Sequence, residues 1–195
     1  VQQILAFSRR EASVQQVQAL APVIEDAVAM LRPMLPAAVA LSVQLPSCPV
    51  YARVDATQIE QVLLNLCTNA WHALPASGGR IDVVLEAVTP VDGGREALAR
   101  IVVADNGCGM DETIRSRVFE PFFTTKPVGT GTGLGLSVVH GIVQAHGGRI
   151  DVFSQPGQGS RFAIVLPMSA EPVQAPIATN EEPVHQAATG TRVLY

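Results

Sequence analysis

The sequence is poor in lysine, in aromatic residues and in charge. Of its 195 residues, 13 are lysine or arginine, and Lys126 is the single lysine among them. Aromatic residues make up 5% of the chain, charged residues 15%, and the formal net charge is -4. Proteins that bind nucleic acid or anionic membranes usually carry a basic patch. The composition therefore argues against both partners, and a polyanionic ligand would have to be bound locally.

Long apolar runs and paired cysteines are also missing. The longest apolar region, residues 27–43, is interrupted by an arginine and two prolines, whereas a membrane-spanning helix needs about 20 apolar residues. No signal peptide is recognisable. Cys48, Cys67 and Cys108 form no Cys-x-x-Cys pair and lie near no histidine cluster. We therefore expect a cytoplasmic domain whose cysteines are small buried hydrophobic residues rather than metal ligands.

The two ends of the chain differ from its middle. The opening VQQILAFSRRE predicts the end of a helix over residues 1–12, and residues 13–168 alternate helical and strand patterns as one domain would. Residues 169–190 are rich in Pro, Ala, Gln and Glu, which predicts a flexible linker. The strand-like TRVLY follows at 191–195. These patterns suggest a piece of a longer protein.

Periodicity predicts the elements of the first half. Helical spacing of apolar residues places a helix over 21–31. The runs VALSVQL and VYARV, separated by PSCP, are predicted to pair as antiparallel strands. Asp55, with Gln58 three residues later, resembles a capping box and predicts a helix that runs to about Leu74.

The second half is predicted to be strands around one further helix. RIDVVLEAV and ARIVVAD read as strands, and RIDVFSQ, PGQG and SRFAIVLP read as a hairpin. LGLSVVHGIVQAH is apolar on nearly all sides, which predicts a mostly buried helix that includes His140 and ends at Gly147 as a left-handed cap.

Polar residues share one face of the helix that begins after Asp55. Asn65, Asn69 and His72 are three or four residues apart and therefore point the same way. Amides can give oxygen to Mg²⁺ and N–H to phosphate without adding negative charge. Taken alone, this stripe is more typical of the exposed face of an amphipathic helix than of a ligand site.

Two glycine segments could let a ligand approach the backbone. In DNGCGM, Asp105 ends a predicted strand and could accept an exocyclic N–H bond, although Asp-Asn-Gly is also an ordinary turn. In GTGTGLGL, successive backbone N–H groups run into a helix start and could bind phosphate. The latter lacks the Gly-Lys-Ser/Thr of a P-loop and does not directly follow a strand, as a dinucleotide fingerprint would. His-Arg-Asp and Asp-Phe-Gly, which protein kinases need, are absent.

The order NLCTNAWHAL, DNGCGM, FEPFFTTK and GTGLGL resembles the four boxes of the ATP-binding domain of sensor histidine kinases. The resemblance covers roughly residues 14–168 and implies a Bergerat-type fold. That fold is an α/β two-layer sandwich of the α+β kind, with a mixed, mostly antiparallel sheet and helices on one face. The FEPFFTTK segment favours the histidine kinases over gyrase, MutL and the heat-shock ATPases.

The resemblance also implies roles for single residues. Asn69 would hold Mg²⁺, Asn65 would lie beside it at the phosphates of ATP, and Asp105 would bind the adenine amino group. Other positions that the family pattern assigns to ATP are Gly107 and Gly109 near the ring, Phe119, Phe122 and Phe123 in a lid, Thr130, Gly131, Thr132, Gly133, Leu134, Gly135 and Leu136 at the phosphates, and Ser160 near the adenine.

Two basic positions are open to two interpretations. Lys126 lies in the predicted lid and could contact the γ-phosphate as a third catalytic residue beside the two asparagines, or it could be a solvated loop lysine. His72 could contact phosphate or be a surface histidine.

The implied activity is transfer of the ATP γ-phosphate to a histidine. Hydrolytic relatives carry a glutamate base where this chain has Asn65, and an amide cannot take a proton from water. None of the four histidines is followed by Glu or Asp, as an acceptor would be. The expected partners are therefore a dimerisation and phosphoacceptor domain of the same protein and a response-regulator receiver domain, which RVLY could begin. The alternatives are a hydrolytic ATPase or serine kinase of this fold, or a non-catalytic nucleotide sensor.

Overall fold

The computed structural model describes residues 14–89, 97–126 and 131–171. The strands in these ranges are β1 (Gln16–Ala19), β2 (Val39–Gln44), β3 (Tyr51–Val54), β4 (Gly79–Val88), β5 (Leu98–Asp105), β6 (Arg149–Ser154) and β7 (Ser160–Pro167). The helices are α1 (Leu20–Leu31), α2 (Ala56–Ala73), α3 (Glu112–Arg115) and α4 (Gly135–Ala145), with a 3-10 turn at Arg32–Met34.

Five strands form the main sheet in the order β2-β4-β5-β7-β6. Only β2 and β4 run parallel, and the other neighbours are antiparallel. Residues facing the helices, such as Ile81, Ile101 and Ile164, are fully buried and alternate with more polar positions. The predicted two-layer fold, with a mixed and mostly antiparallel sheet, is confirmed.

Helix α2 is the centre of the helical layer, because it packs against α1, α4 and the strands β4 and β5. Its apolar residues Ile59, Leu63, Leu66 and Ala70 lie three or four positions apart and are buried. The helix begins as predicted, with the Asp55 carboxylate accepting the Gln58 N–H at 3.3 Å. Its other faces are free to carry polar groups.

His146 fastens the start of α2 to the end of α4. Its ring is only 6% exposed, and its Nε2 accepts the backbone N–H of Asp55 at 3.0 Å. Its Nδ1 lies 2.8 Å from the carbonyl oxygen of Ile142, which can only accept, so Nδ1 carries the proton. In a complete capping box, the side chain of Gln58 would accept the backbone N–H of the N-cap residue Asp55. Here His146 accepts that N–H instead.

The predicted pairing of the strands on either side of PSCP is wrong. Strand β2 pairs in parallel with β4, and β3 pairs with β1 in a separate two-stranded sheet. The connection at 45–50 contains two prolines and is too long for a tight hairpin turn, so the chain leaves the first sheet before β3 begins. Met168 and Ser169 then pair with the free side of β3 at Ala52 and Tyr51.

Two expectations about burial are also wrong. Helix α4 is buried only at Val139 and Val143, because it packs on α2 and the edge strand β6 and its other sides stay open. Gly147, with φ of 68°, does form the predicted left-handed cap. Of the cysteines only Cys67 is buried, and burial raises the pKa of its thiol to about 12, while Cys48 and Cys108 are exposed.

Replacing His146 by alanine should lower the free energy of unfolding by about 1–3 kcal/mol, because the backbone N–H of Asp55 loses the ring nitrogen that accepts it and the carbonyl of Ile142 loses one of its two donors. Urea denaturation measures the change. The exposed Gln144→Ala, on the same turn of α4, is the matched control and should stay within about 0.5 kcal/mol of the unchanged protein. Equal stability of all three proteins would contradict the role given to His146.

Candidate functional site

A cleft of about 450 Å³ lies between α2, the first turn of α4 and the segment from Met110 to Lys126. It brings together ten of the residues that the sequence singled out: Asn65, Asn69, His72, Phe123, Lys126, Gly131, Thr132, Gly133, Gly135 and Leu136. Leu134 does not line it but is the N-cap of α4. Thr130 lies outside the described residues.

The amides of Asn65 and Asn69 face the start of α4 across this cleft. A Cβ atom added to Gly135 would lie 3.5 Å from Asn65 Oδ1 and 3.9 Å from Asn69 Nδ2, so the amides and the first turn of the helix are close neighbours. Among the described residues that line the cleft, none is an aspartate or glutamate. Backbone N–H groups at a helix start, two neutral amides and a lysine form a lining suited to an anion.

Lys126 reaches from the predicted lid to α2. Its Nζ lies 3.0 Å from Nδ1 of His72, whose ring also stacks on that of Trp71. An ammonium group can only donate, so Nδ1 accepts and the proton of the neutral ring is on Nε2. Partial desolvation, and then the charge of Lys126, lower the pKa of His72. Both basic side chains are therefore at the cleft, and they contact each other.

Asp105 lies at a second group of residues, at the end of the main sheet. It is the cross-strand partner of Ser160, which is in turn the partner of Ser154, so the three residues form a row across β5, β7 and β6. The carboxylate Oδ1 accepts the N–H groups of Gly107 at 2.8 Å and Ser160 at 3.3 Å. Burial raises the pKa of Asp105, and these two backbone bonds oppose the rise.

The glycines of DNGCGM let this loop lie directly on its neighbours. A Cβ atom at Gly107 would lie 2.4 Å from the carbonyl oxygen of Ala73, at the end of α2. The next residue, Cys108, donates its N–H to that same oxygen at 2.9 Å. Gly109 has φ of 66°, and a Cβ atom there would lie 1.9 Å from the carbonyl oxygen of Gln155. Both glycines are required by packing within the protein.

The three phenylalanines of the predicted lid differ in their surroundings. Phe119 stacks on the half-buried His140 with 5.2 Å between ring centroids, and Phe123 lies under the Arg117 guanidinium and lines the cleft. Phe122 is 74% exposed with φ of 66°, and only its backbone is held, by donation of its N–H to the Gly133 oxygen at 2.9 Å. The exposed ring of Phe122 thus does not anchor the predicted lid, and His140, expected in a mostly buried helix, is only half-buried.

Several residues of the site were not predicted from the sequence. The cleft is also lined by Leu64, Thr68, Met110, Ile114, Val118, Thr124 and Thr125. Thr68 could have been found, since it lies one turn of helix from Leu64 and Asn65. Met110 joins the two parts of the site, because it lines the cleft while its N–H donates to Ser154 Oγ at 2.8 Å. That link depends on a strand register that no sequence pattern specifies.

A family model described as "Histidine kinase-, DNA gyrase B-, and HSP90-like ATPase" matches residues 54–170, from the start of α2 to just beyond β7. The chain belongs to this ATPase family. It is an ATP-binding domain of the sensor histidine kinase type, since the relatives and structural neighbours that follow carry that description.

Two curated relatives illustrate the similarity. Sensor kinase CckA of Brucella abortus (strain 2308) is 36% identical over 198 residues, which is 96% of this chain and 21% of CckA. The signal transduction histidine-protein kinase AtoS of Escherichia coli (strain K12) is 36% identical over 172 residues, which is 88% of this chain and 27% of AtoS. The chain thus spans only about a quarter of the length of these multidomain relatives.

Solved structures show the same fold. The mycobacterial sensor histidine kinase MprB superposes with a TM-score of 0.67 at 28% identity, over 80% of this chain and 98% of that chain. Full-length ShkA in complex with AMPPNP superposes with a TM-score of 0.68 at 25% identity, over 87% of this chain and 35% of that one. None of the described helices is long and apolar enough to span a bilayer.

The different surroundings of Gly109 and Gly141 predict opposite effects on stability when each is replaced by alanine. Gly109→Ala should lower the free energy of unfolding by at least about 2 kcal/mol, because it adds a Cβ atom against a carbonyl oxygen at a positive φ. Gly141→Ala, in α4, should raise the free energy of unfolding by about 0.5–1 kcal/mol through better helix propensity. The added Cβ atom would have no heavy atom within 4 Å beyond its chain neighbours and the backbone of its own helix. Urea denaturation of both variants tests the pair, and a harmless Gly109→Ala would contradict the packing described.

Proposed function

We propose that this domain transfers the γ-phosphate of ATP to a histidine on a dimerisation and phosphoacceptor domain of the same protein. The observation that carries the proposal is the cleft of Asn65 and Asn69, whose described lining contains no carboxylate. Hydrolysis of ATP usually requires a general base to deprotonate water, and an amide cannot serve as one. The intact γ-phosphate would therefore be kept for an incoming imidazole.

In this proposal the nucleotide lies across the two parts of the site. The adenine amino group donates to Asp105, whose Oδ1 is already bonded, so Oδ2 is the oxygen left for the base. The phosphates lie at the first turn of α4, where Gly131, Gly133 and Gly135 line the cleft and would offer their backbone N–H groups. Met110 lies between the two ends.

A divalent cation fits the amide pair. Mg²⁺ prefers oxygen ligands and is commonly shared between a few protein oxygens and substrate phosphates. No group of three His, Cys, Asp or Glu side chains that could hold a metal occurs in the described part of the chain. Asn69 would therefore hold the ion through its amide oxygen, with Asn65 beside it. When bound, the ion neutralises phosphate charge and lowers the barrier to phosphoryl transfer.

The chain's own residues would do the remaining work by position and charge. Lys126 is the one lysine or arginine in the described cleft lining, and its ammonium group can leave His72 to bind a terminal phosphate oxygen. Phosphoryl transfer needs mainly alignment and charge neutralisation, which such groups supply. In this proposal the acceptor comes from elsewhere, because no histidine of the chain is followed by Glu or Asp. In addition, His140 is stacked on Phe119 and His146 is buried in its structural role.

The partners follow from the reaction. A phosphohistidine is an intermediate, so a receiver domain that accepts the phosphoryl group is the expected second partner. The relatives are multidomain sensor kinases, which supports domains of this kind within the same protein. The proposal locates the domain in the cytoplasm, where ATP is available.

Asn69→Ala should weaken ATP binding in the presence of Mg²⁺ about ten- to a hundredfold, since one interaction with a charged group contributes about 1.5–3 kcal/mol. Calorimetric titration measures the affinity with and without Mg²⁺. Gln61→Ala is the matched control, because Gln61 is exposed on the same helix and does not line the cleft. An Asn69→Ala protein whose affinity still rises on addition of Mg²⁺ would show that the ion is held elsewhere.

The kinase reaction is tested with the longest natural form of the protein that carries this chain. Incubation with ATP labelled at the γ-phosphate should place label on a histidine outside residues 14–171, as an acid-labile and base-stable bond. Mass spectrometry then locates the residue. The Asn69→Ala variant should remain unlabelled, because it lacks the Mg²⁺ ligand.

Two results would contradict the proposed reaction. Rapid release of inorganic phosphate with no labelled protein would indicate a hydrolytic ATPase. Tight ATP binding with neither phosphate release nor labelling, under conditions where a known sensor histidine kinase is labelled, would indicate a nucleotide-sensing module.

A further inference from the structure

Ser154 stands beside the proposed base site without facing the cleft itself. It ends β6 and is the cross-strand partner of Ser160, which lies next to Asp105 on the central strand. Its Oγ has three partners: the N–H of Met110 at 2.8 Å, the carbonyl oxygen of Gly159 at 2.8 Å and Oγ of Ser160 at 3.1 Å. One hydroxyl thus touches both the base end of the site and the residue that joins it to the cleft.

These three contacts fix the direction of every bond. A hydroxyl has one hydrogen and two lone pairs, and the Gly159 carbonyl can only accept. The hydrogen of Ser154 therefore goes to Gly159, and Ser154 accepts from Met110 N–H with one lone pair. With its own hydrogen used at Gly159, Ser154 can only accept from Ser160, so the Ser160 hydroxyl is the donor in the contact between the two serines. Because its hydrogen is used in this way, the Ser160 hydroxyl can only accept hydrogen bonds from a ligand.

An acceptor-only Ser160 beside a carboxylate has consequences for base selection. Ser160 is held against Asp105 through its own N–H, which donates to Asp105 Oδ1. Two adjacent acceptors suit an exocyclic amino group, which has two N–H donors. They oppose a base with a carbonyl at that position, such as hypoxanthine, because no donor faces its oxygen. A freely rotating Ser160 hydroxyl could turn and donate to that oxygen.

We propose that Ser154 is a positioning residue for nucleobase selection: by accepting the Ser160 hydroxyl hydrogen it keeps Ser160 an acceptor and so favours a 6-amino over a 6-oxo purine. The inference rests on the proposed placement of the base at Asp105. Ser154 acts through Ser160 and need not touch the nucleotide. The same hydroxyl also holds the Met110 backbone and the turn at Gly159, which is the purely structural role against which the inference must be tested.

The experiment compares the affinities of the full chain for ATP and for inosine triphosphate, which carries a 6-oxo group in place of the 6-amino group. Ser154→Ala should reduce the preference for ATP about three- to tenfold, the range expected for one hydrogen bond. Most of the change should be a gain for inosine triphosphate. Ser154→Thr keeps the hydroxyl and should retain the preference of the unchanged protein, and thermal unfolding of each variant reports on the fold.

A double-mutant cycle with Ser160→Ala separates the inference from a structural role. Because Ser154 acts through Ser160, the preference of the double variant should equal that of Ser160→Ala alone. A Ser154→Ala protein that loses affinity for both nucleotides equally, or keeps its preference, overturns the inference. Should Ser154→Ala fail to fold, Ser160→Ala must still reduce the preference, and an unchanged preference in that variant overturns the inference as well.

Asp105→Asn distinguishes this inference from the proposed placement of the base. If Asp105→Asn abolishes the preference for ATP and Ser154→Ala leaves it intact, only the role of Ser154 is wrong. If Asp105→Asn leaves the preference unchanged, the base lies elsewhere and both statements are wrong.

Discussion

The site depends on helix α2 being held at both ends. At its start, the N–H of Asp55 is bonded by His146 from the end of α4, and at its end the carbonyl of Ala73 accepts from Cys108. One face of the helix is buried in the core, which sets its rotation. The amides of Asn65 and Asn69 can then point only at the first turn of α4. Their position follows from burial and two end contacts, with no need for a ligand to order them.

The two ends of the site are supported by different parts of the fold. The proposed phosphate end is formed by α2 and α4, and its described lining contains no carboxylate. The proposed base end is formed by the row of Asp105, Ser160 and Ser154 at one end of the strands β5, β7 and β6. In the proposed arrangement, this separation keeps the carboxylate of Asp105 away from the phosphates. It also explains how a chain of net charge -4 can bind a polyanion, since the local lining rather than the total charge decides.

Sequence patterns predicted the helices and strands well because local rules govern them. The amphipathic stripe of α2, the Asp55 cap and the Gly147 cap each need only residues a few positions apart. The failures concern long-range contacts. The pairing of β2 with β4 depends on a crossover through β3 and α2, and the exposure of Cys48 and Cys108 depends on what other segments cover. His146 and Ser154 were missed as structural and site residues because their partners lie 91 and 44 residues away, at Asp55 and Met110.

Phe122 shows most clearly what a sequence cannot reveal. A bulky residue at positive φ is strained by about 1–3 kcal/mol, and an exposed ring recovers little of that by burial. The conformation is held by the N–H bond to Gly133, whose own positive φ and lack of a side chain let the two backbones cross. That crossing ties the segment carrying Phe119, Phe123 and Lys126 to the glycines in front of α4. The strain at Phe122 is therefore the consequence of the backbone hydrogen bond that connects the two sides of the cleft. Phe122→Gly would relieve the strain and keep that hydrogen bond.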